Sequence, residues 1–205
     1  MGDNMTKVFK EDEVIEALKH YQKENIVSFP TDTVYGIGAN LFNNQAIHKI
    51  YVTKHRPGNK PLAVLCADKT QMLEVVKEIP IEIEKLINRF MPGPLTVILP
   101  KKDEVPFFVT SNLETVGVRI PNHPAAIELL KTIGPMATTS ANLSGCDSLN
   151  EAKDVIAILG EDIDIIIEGE TQLKVPSTVV EIKNGKINII REGLITKAMI
   201  EEILK

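Results

Sequence analysis

Hydrophobic and polar positions along the chain follow two periods, and each period predicts one type of element. Apolar residues at helical spacing, such as Val14, Ile15 and Leu18, predict amphipathic helices. Short runs rich in β-branched residues and bounded by Gly or Pro predict strands. The predicted helices span residues 11–24, 46–54, 69–77, 81–90 and 124–132. The predicted strands are IVSFP from Ile26, PLAVLCA from Pro61, LTVIL from Leu95, VGVRI from Val116, MATTS from Met136, TVVEI from Thr178 and KINII from Lys186.

The order of these elements predicts the fold class. Helices and strands mixed in this way indicate one α/β domain. The Asn184-Gly185 pair between the last two strands is a strong hairpin signal, so we expect a mixed sheet rather than a purely parallel one. No internal repeat or linker-like segment divides the 205 residues, a length that one domain can accommodate.

Composition narrows the class of protein. Hydrophobic residues make up 43% and charged residues 25%, as in folded globular proteins. No apolar run approaches the roughly 18 residues needed to span a bilayer, and the N-terminal MGDNMTKVFKEDE is too polar for a signal peptide. Cys66 and Cys146 form no CxxC pair, which argues against a disulfide framework or a zinc site. We therefore expect a cytoplasmic protein that does not contact a membrane.

The net charge of the chain indicates how the protein could bind nucleic acid. The formal charge of −5 argues against broad nonspecific binding of nucleic acid by the whole surface. It is compatible with a local basic site, because the distribution of charge matters more than its sum.

Polar residues gather where predicted strands end, which is where functional sites are usually built. The first cluster, PTDTVYGIG, starts at Pro30. It fits a Gly-rich turn in which Thr and Asp satisfy backbone groups, and it equally fits close approach of a ligand. Gly36 and Gly38 complete neither GxGxxG nor the P-loop pattern, so no standard nucleotide motif is present.

The second cluster, KHRPGNKP, starts at Lys54 and carries three cations and a histidine. A solvated basic loop is one interpretation. The other is an anion site, because Pro57 and Pro61 stiffen the segment and reduce the entropy lost when Arg56 and Lys60 surround a ligand.

The third cluster, TTSANLSG, starts at Thr138 and either caps the following segment or holds phosphate oxygens. Arg119 ends a predicted strand and needs an anionic partner, since a buried unpaired charge is costly. That partner is either an internal Asp or Glu or a substrate carboxylate, and the spacing leaves both open. Ser177 and Arg191 stand in short polar segments that indicate nothing by themselves. The four histidines have no metal-ligand spacing.

Seven segments in order resemble the threonylcarbamoyl-AMP synthase family, also called YrdC-like. They are PTDTVYGIGA, KHRPGNKPLAVL, PGPLTVIL, VGVRIPNHP, TTSANLSG, STVVEI and REG. The resemblance implies a catalytic domain over residues 9–194, with a twisted mixed β-sheet and flanking helices around a large basic cavity. Residues 195–205 are expected to form a C-terminal helix of the same domain. The chain resembles the short single-domain form of the family.

The resemblance implies the reaction of L-threonine, bicarbonate and ATP to threonylcarbamoyl-AMP and pyrophosphate, with Mg²⁺ bound to the triphosphate and no metal held by the protein. The product would pass to proteins that transfer the threonylcarbamoyl group to tRNA, and contact with tRNA itself is considered. The family's KxR…SxN signature corresponds to the expected catalytic residues Lys54, Arg56, Ser140 and Asn142. The ATP side would comprise Arg56, Lys60, Thr115, Ser140, Ser148 and Arg191. The threonine side would comprise Thr33, Arg119, Thr138 and Ser177.

Two positions depart from the family pattern. Leu65 stands where some longer members have a histidine near threonine, and Thr138-Thr139 replaces a common Ala-Pro pair. Two other functions are also considered. One is a carbamoyl-adenylate enzyme that starts from carbamoyl phosphate, and the other is a non-catalytic RNA-binding module. Aromatic residues make up only 4% of the chain, which gives little stacking surface for single-stranded RNA.

Overall fold

The computed structural model describes residues 5–183 and 185–205. Asn184 of the predicted hairpin therefore lies outside the described residues. The strands are β1 (Lys7–Lys10), β2 (Val27–Phe29), β3 (Gly36–Asn40), β4 (Ala63–Leu65), β5 (Leu95–Pro100), β6 (Thr115–Arg119), β7 (Met136–Ser140), β8 (Ile165–Glu168), β9 (Thr178–Lys183) and β10 (Lys186–Arg191). The α-helices are α1 (Val14–His20), α2 (Asn44–Thr53), α3 (Lys69–Val75), α4 (Ile81–Phe90), α5 (Pro124–Ile133), α6 (Ala152–Leu159) and α7 (Lys197–Leu204).

The strands form one sheet in the order β1-β8-β2-β3-β7-β4-β6-β5-β9-β10. Parallel pairs such as β4 with β6 and antiparallel pairs such as β3 with β7 occur side by side. The predicted mixed α/β sheet is therefore confirmed. The last two strands pair antiparallel, with Lys183 opposite Lys186, as the hairpin prediction requires.

Helices cover the two faces of the sheet unequally. Successive side chains of a strand point to opposite faces, and in β8 Ile166 joins one hydrophobic cluster while Ile165 and Ile167 join the other. The cluster of Ile166 includes residues of α2, α3, α4, α6 and α7. The other cluster includes residues of α1 and α5 and ends at Leu65 and Met136. Among the described residues, the part of the second face that lies beyond Leu65 and Met136 is not packed against α1 or α5.

Two local predictions differ from the structure. The predicted helix 11–24 consists of a 3₁₀ turn, Glu11–Glu13, followed by α1, which ends at His20 because Tyr21 adopts an extended backbone. The Gly-rich turn proposed for PTDTVYGIG is wrong for its two glycines, which lie inside β3. A Cβ atom on Gly38 would approach Thr138 Oγ1 to 2.7 Å, so glycine lets β3 lie close to β7.

The Gly193→Ala substitution is expected to destabilise the protein by about 1–3 kcal/mol. The Cβ atom added at position 193 would clash with the Pro176 carbonyl oxygen and would lie 2.8 Å from Thr178 N. Both are backbone atoms, so the backbone would have to shift. Chemical denaturation measures the effect. Gly58→Ala is the matched control, since no atom lies within 4 Å of its added Cβ. Equal losses of stability in both variants would contradict the steric explanation.

None of the helices in the described residues has the length and apolar character needed to cross a lipid bilayer. Within the same residues, His, Cys, Asp and Glu form no group of three or more that could hold a metal ion.

Candidate active site

The uncovered part of the second sheet face is the floor of a cavity of about 340 Å³. Strand β6 shows how the sequence builds it. Val118 belongs to the hydrophobic core, and Thr115, Gly117 and Arg119 line the cavity, whereas Val116 is a core residue that also borders the cavity. Strands β4 and β5 contribute lining residues with the same alternation, namely Ala63, Leu65, Thr96 and Ile98. Strand β7 contributes three successive residues, Thr138, Thr139 and Ser140, and β9 contributes Val179.

The charged residues that line this cavity are three arginines, Arg56, Arg119 and Arg191. They come from three separate segments of the chain, and hydroxyl groups of Thr33, Ser140 and other residues lie between them. An overall acidic protein thus has a locally basic cavity, which is suited to bind anions.

Arg119 is held by three different segments. It is 6% exposed, and its Nη2 donates to Asp32 Oδ1 at 2.5 Å. Its Nη1 donates to Thr33 Oγ1 at 2.8 Å, and its Nε donates to the Gly93 carbonyl at 2.9 Å. The anionic partner that the sequence left open is therefore an internal aspartate. A guanidinium group has five N–H donors, so two remain for a ligand.

Arg56 and Arg191 are oriented by uncharged oxygen atoms. The Nε and Nη2 atoms of Arg56 donate to the carbonyls of Lys60 and Pro61, which lie in its own loop. Arg191 donates to the Ser177 carbonyl at 2.9 Å and to Ser177 Oγ at 3.0 Å. Fixed in this way, each arginine loses less side-chain entropy when it binds a ligand.

Lys54 is buried beneath the loop that follows β7. Its ammonium group donates to the carbonyls of Ser140 and Asn142. Asn142 is also buried, and its Nδ2 donates to the carbonyls of Leu143 and Cys146 at 2.8 Å each. These bonds set the shape of the loop that carries Ser140 to the cavity.

The stability of the protein is expected to depend on pH through Lys54. Burial, and then repulsion from Arg56, lowers the pKa of Lys54 to about 7. Between pH 7 and the unfolded-state value of about 10.4, the unfolded chain binds more protons at this position, so stability rises with pH. The difference in unfolding free energy between wild type and Lys54→Met should therefore rise by up to about 1.4 kcal/mol per pH unit in this window. A difference that stays flat from pH 7 to 9.5 would show that Lys54 keeps an ordinary pKa.

The structure brings most of the sequence-predicted site residues together, but not all of them. Those that line the cavity are Thr33, Arg56, Thr115, Arg119, Thr138, Ser140, Ser177 and Arg191. Lys54 and Asn142 lie behind the lining, Lys60 is exposed, and Ser148 is half-buried on the segment before α6. Leu65 and Thr139, at the positions that depart from the family pattern, are among the lining residues.

Three residues near the site were missed or left unassigned by sequence reasoning. Asp32 is the partner of Arg119, and Thr96 lines the cavity with its Oγ1 atom 2.8 Å from Ser177 Oγ. Tyr35 bonds both the carbonyl and the N–H of Gly169 through its hydroxyl. Thr96 had a signal in the sequence, because it is the single polar residue of the LTVIL run.

Relatives of known name match this chain over most of its length. A Pyrococcus abyssi (strain GE5 / Orsay) protein named threonylcarbamoyl-AMP synthase is 40% identical over 181 residues, which are 87% of this chain and 53% of the relative. A Bacillus subtilis (strain 168) protein of the same name is 40% identical over 195 residues, which are 94% of this chain and 56% of the relative. This chain spans about half the length of these two relatives.

A solved structure agrees with both matches. The crystal structure of P. abyssi Sua5 complexed with L-threonine superposes with a TM-score of 0.90 at 37% identity, covering 98% of this chain and 60% of that one. The Sua5/YciO/YrdC family model, described as telomere recombination, matches residues 19–193. With its fold, its motifs and its sequence in agreement, the chain belongs to the Sua5/YciO/YrdC family.

Proposed function

We propose that this protein is a threonylcarbamoyl-AMP synthase, a nucleotidyltransferase that converts L-threonine, bicarbonate and ATP to threonylcarbamoyl-AMP and pyrophosphate. The observation that carries the proposal is the cavity in which Arg56, Arg119 and Arg191 converge with hydroxyl groups. Three cations in one cavity suit a reaction between a carboxylate-bearing amino acid and a triphosphate. The names of the relatives and the L-threonine in the P. abyssi structure support the same reaction.

The chemistry requires positioning and charge neutralisation more than covalent help from the protein. The threonine amine captures bicarbonate with loss of water, or carbon dioxide with loss of a proton, to give a carbamate. A carbamate oxygen then attacks the α-phosphorus of ATP, and pyrophosphate leaves with the electron pair of the broken P–O bond. Arg56 and Arg191 neutralise negative charge that builds on the phosphates, and Ser140 and Thr115 supply hydroxyl donors on the same side. Magnesium enters with the triphosphate as part of the nucleotide substrate.

The amino acid occupies the end of the cavity that contains Arg119. Its carboxylate accepts hydrogen bonds from the N–H groups of Arg119 that the protein leaves uncommitted, and Thr33, Thr138 and Ser177 surround the rest of the molecule. Lys54 and Asn142 act indirectly, because their hydrogen bonds hold the loop that places Ser140 in the cavity wall. Lys60 and Ser148 belong to the ATP side and reach the nucleotide from outside the cavity wall.

The product is a mixed anhydride of a carbamate and AMP, which serves threonylcarbamoyl transfer to tRNA by separate proteins. Action in the cytoplasm, where ATP and tRNA are both present, is part of the proposal. The same is true of a single domain that consists of a catalytic part over residues 9–194 and the C-terminal helix of residues 195–205.

Pyrophosphate release from ATP tests the proposal directly. Release should require both L-threonine and bicarbonate and should fall when serine replaces threonine. Release that requires carbamoyl phosphate instead would favour the carbamoyl-adenylate enzyme. Absence of release from folded protein, together with salt-sensitive RNA binding without ATP, would favour the RNA-binding module.

A further inference from the structure

The backbone of Arg56 is fixed by the C-terminal end of α2. The N–H of Arg56 donates to the Tyr51 carbonyl at 2.9 Å, and the N–H of His55 donates to the Val52 carbonyl at 3.0 Å. With His55 at a φ of 48°, these bonds form the Schellman motif in which many helices end. The motif determines where Arg56 leaves the helix, but it does not restrain the rotation of the arginine side chain.

The side chain of Arg56 lies between two cavities. It lines the cavity of the candidate active site, and it also lines a second cavity of about 420 Å³, to which Tyr51 and Phe108 contribute. Because there is open space on both sides, packing restrains the guanidinium group only weakly. Its hydrogen bonds to the carbonyls of Lys60 and Pro61 therefore decide where it points.

The Lys60 carbonyl that accepts from Arg56 is itself held by Tyr51. The Tyr51 hydroxyl donates to this carbonyl and to the Phe108 carbonyl, each at 3.1 Å. A phenol has a single hydrogen, so the two carbonyls share it. Through this hydroxyl, helix α2 and the segment of Phe108 hold one end of the basic loop, residues 55–61.

A supporting turn, residues 107–111, holds the basic loop at two further points. Ser111 Oγ donates to the Gly58 carbonyl at 3.0 Å, and the Val109 carbonyl accepts the N–H of Leu62, directly after the loop, at 2.8 Å. Most of the basic loop is exposed. Hydrogen bonds to its neighbours, rather than burial, therefore keep it in place.

We propose that Tyr51 and Ser111 are positioning residues that hold the basic loop so that the Arg56 guanidinium group stays turned toward the active-site cavity, where it binds phosphate oxygens. Tyr51 and Ser111 are not among the described residues that line this cavity, so they act through Arg56. The inference rests on the proposed function, because the anion that Arg56 meets is the triphosphate of that reaction.

Calorimetric titration with inorganic pyrophosphate tests the inference without requiring turnover. Tyr51→Phe removes only the hydroxyl group, so the Arg56 side chain must then be ordered when the anion binds. We expect the Kd for pyrophosphate to rise about fivefold, the usual cost of ordering one long side chain. Ser111→Ala removes one hydrogen bond to the loop and should raise the Kd about threefold.

A double-mutant cycle distinguishes positioning from a general structural effect. In the Arg56→Ala background, Tyr51→Phe should change the Kd by less than about twofold, because the side chain that Tyr51 positions is gone. Tyr21→Phe is the matched control, since it makes the same change at a tyrosine that lines neither cavity. It should bind pyrophosphate as the wild type does.

Thermal unfolding establishes that each variant is folded. An unchanged Kd in folded Tyr51→Phe, or an equal rise of the Kd in the Arg56→Ala background, would overturn the inference. If Tyr51→Phe does not fold, Ser111→Ala takes its place in the same cycle, and an unchanged Kd there would overturn it. A wild type that does not bind pyrophosphate would also overturn it. A wild type that binds pyrophosphate but shows no threonine-dependent release would contradict the proposed function, while the cycle still decides the role of Tyr51.

Discussion

The Arg119→Met variant is expected to lose about 3–5 kcal/mol of unfolding free energy and all threonine-dependent pyrophosphate release. The loss of stability arises because Asp32 stays buried with no counterion once the guanidinium is removed. The Gly93 carbonyl and Thr33 Oγ1 each lose the hydrogen bond from Arg119 at the same time, although Thr33 Oγ1 keeps its contact with Thr31 Oγ1. The free energy of unfolding of a native protein is only about 5–15 kcal/mol in total, so a urea titration should show the loss clearly.

A second substitution separates the buried charge from the loss of packing. Adding Asp32→Asn to Arg119→Met should restore part of the stability, because an amide is less costly to bury than an unpaired carboxylate. Arg89→Ala, at an exposed position of α4, is the control for removing an arginine and should change stability little. A double variant that is less stable than Arg119→Met alone would contradict the ion-pair explanation.

The Arg56→Ala variant is expected to lose about a hundredfold or more in the rate of pyrophosphate release while keeping its fold. Removal of one contact that stabilises transition-state charge costs roughly 2.7–4 kcal/mol. The fold should survive because Arg56 is only partly buried and contacts the carbonyls of Lys60 and Pro61 in its own exposed loop.

Steady-state rates at saturating ATP and threonine measure this effect, with thermal unfolding as the check on folding. Arg89→Ala again serves as the control, and Lys60→Ala tests whether a cation outside the cavity wall contributes. Turnover of Arg56→Ala close to that of the wild type would refute the catalytic role of Arg56. A large fall in its unfolding temperature would show that the arginine is structural instead.

Stability and catalysis are thus expected to divide differently between Arg119 and Arg56. Arg119 is part of the buried framework that joins the segments of Asp32, Gly93 and Asn122, so its removal is expected to affect folding and activity together. Arg56 lies in a loop after α2, and its removal is expected to affect the chemistry alone.

Much of the fold could be predicted because its information is local. A period of two residues specifies a strand and its faces, and in TVGVR two valines of the core alternate with the Thr, Gly and Arg that line the cavity. One of the elements that were missed, β3, has no clear local signal. Strand β3 contains two glycines, which have low intrinsic preference for strands, and only its packing against β7 explains them.

For the candidate site, the sequence indicated which segments carry polar groups but not which side chains meet. Arg119 and Asp32 are 87 positions apart, and no periodicity links them. Lys54 was expected among the catalytic residues, but no spacing indicated that its ammonium group contacts the carbonyls of Ser140 and Asn142. Neither pairing can be derived from spacing, because each joins segments that are distant in sequence and that only the fold brings together. Asp32 precedes β3, which is separated from β6 by two strands, and Lys54 follows α2.

The sequence by itself therefore determined the α/β class, the mixed sheet and the ordered motifs that mark the family. Those features depend on local periodicity, turn chemistry and residue identity. Only the tertiary structure decided which arginine is neutralised, which lysine is buried and which hydroxyl groups line the cavity. These outcomes depend on non-local contacts, since burial and charge pairing are set by the residues that the sheet order brings together.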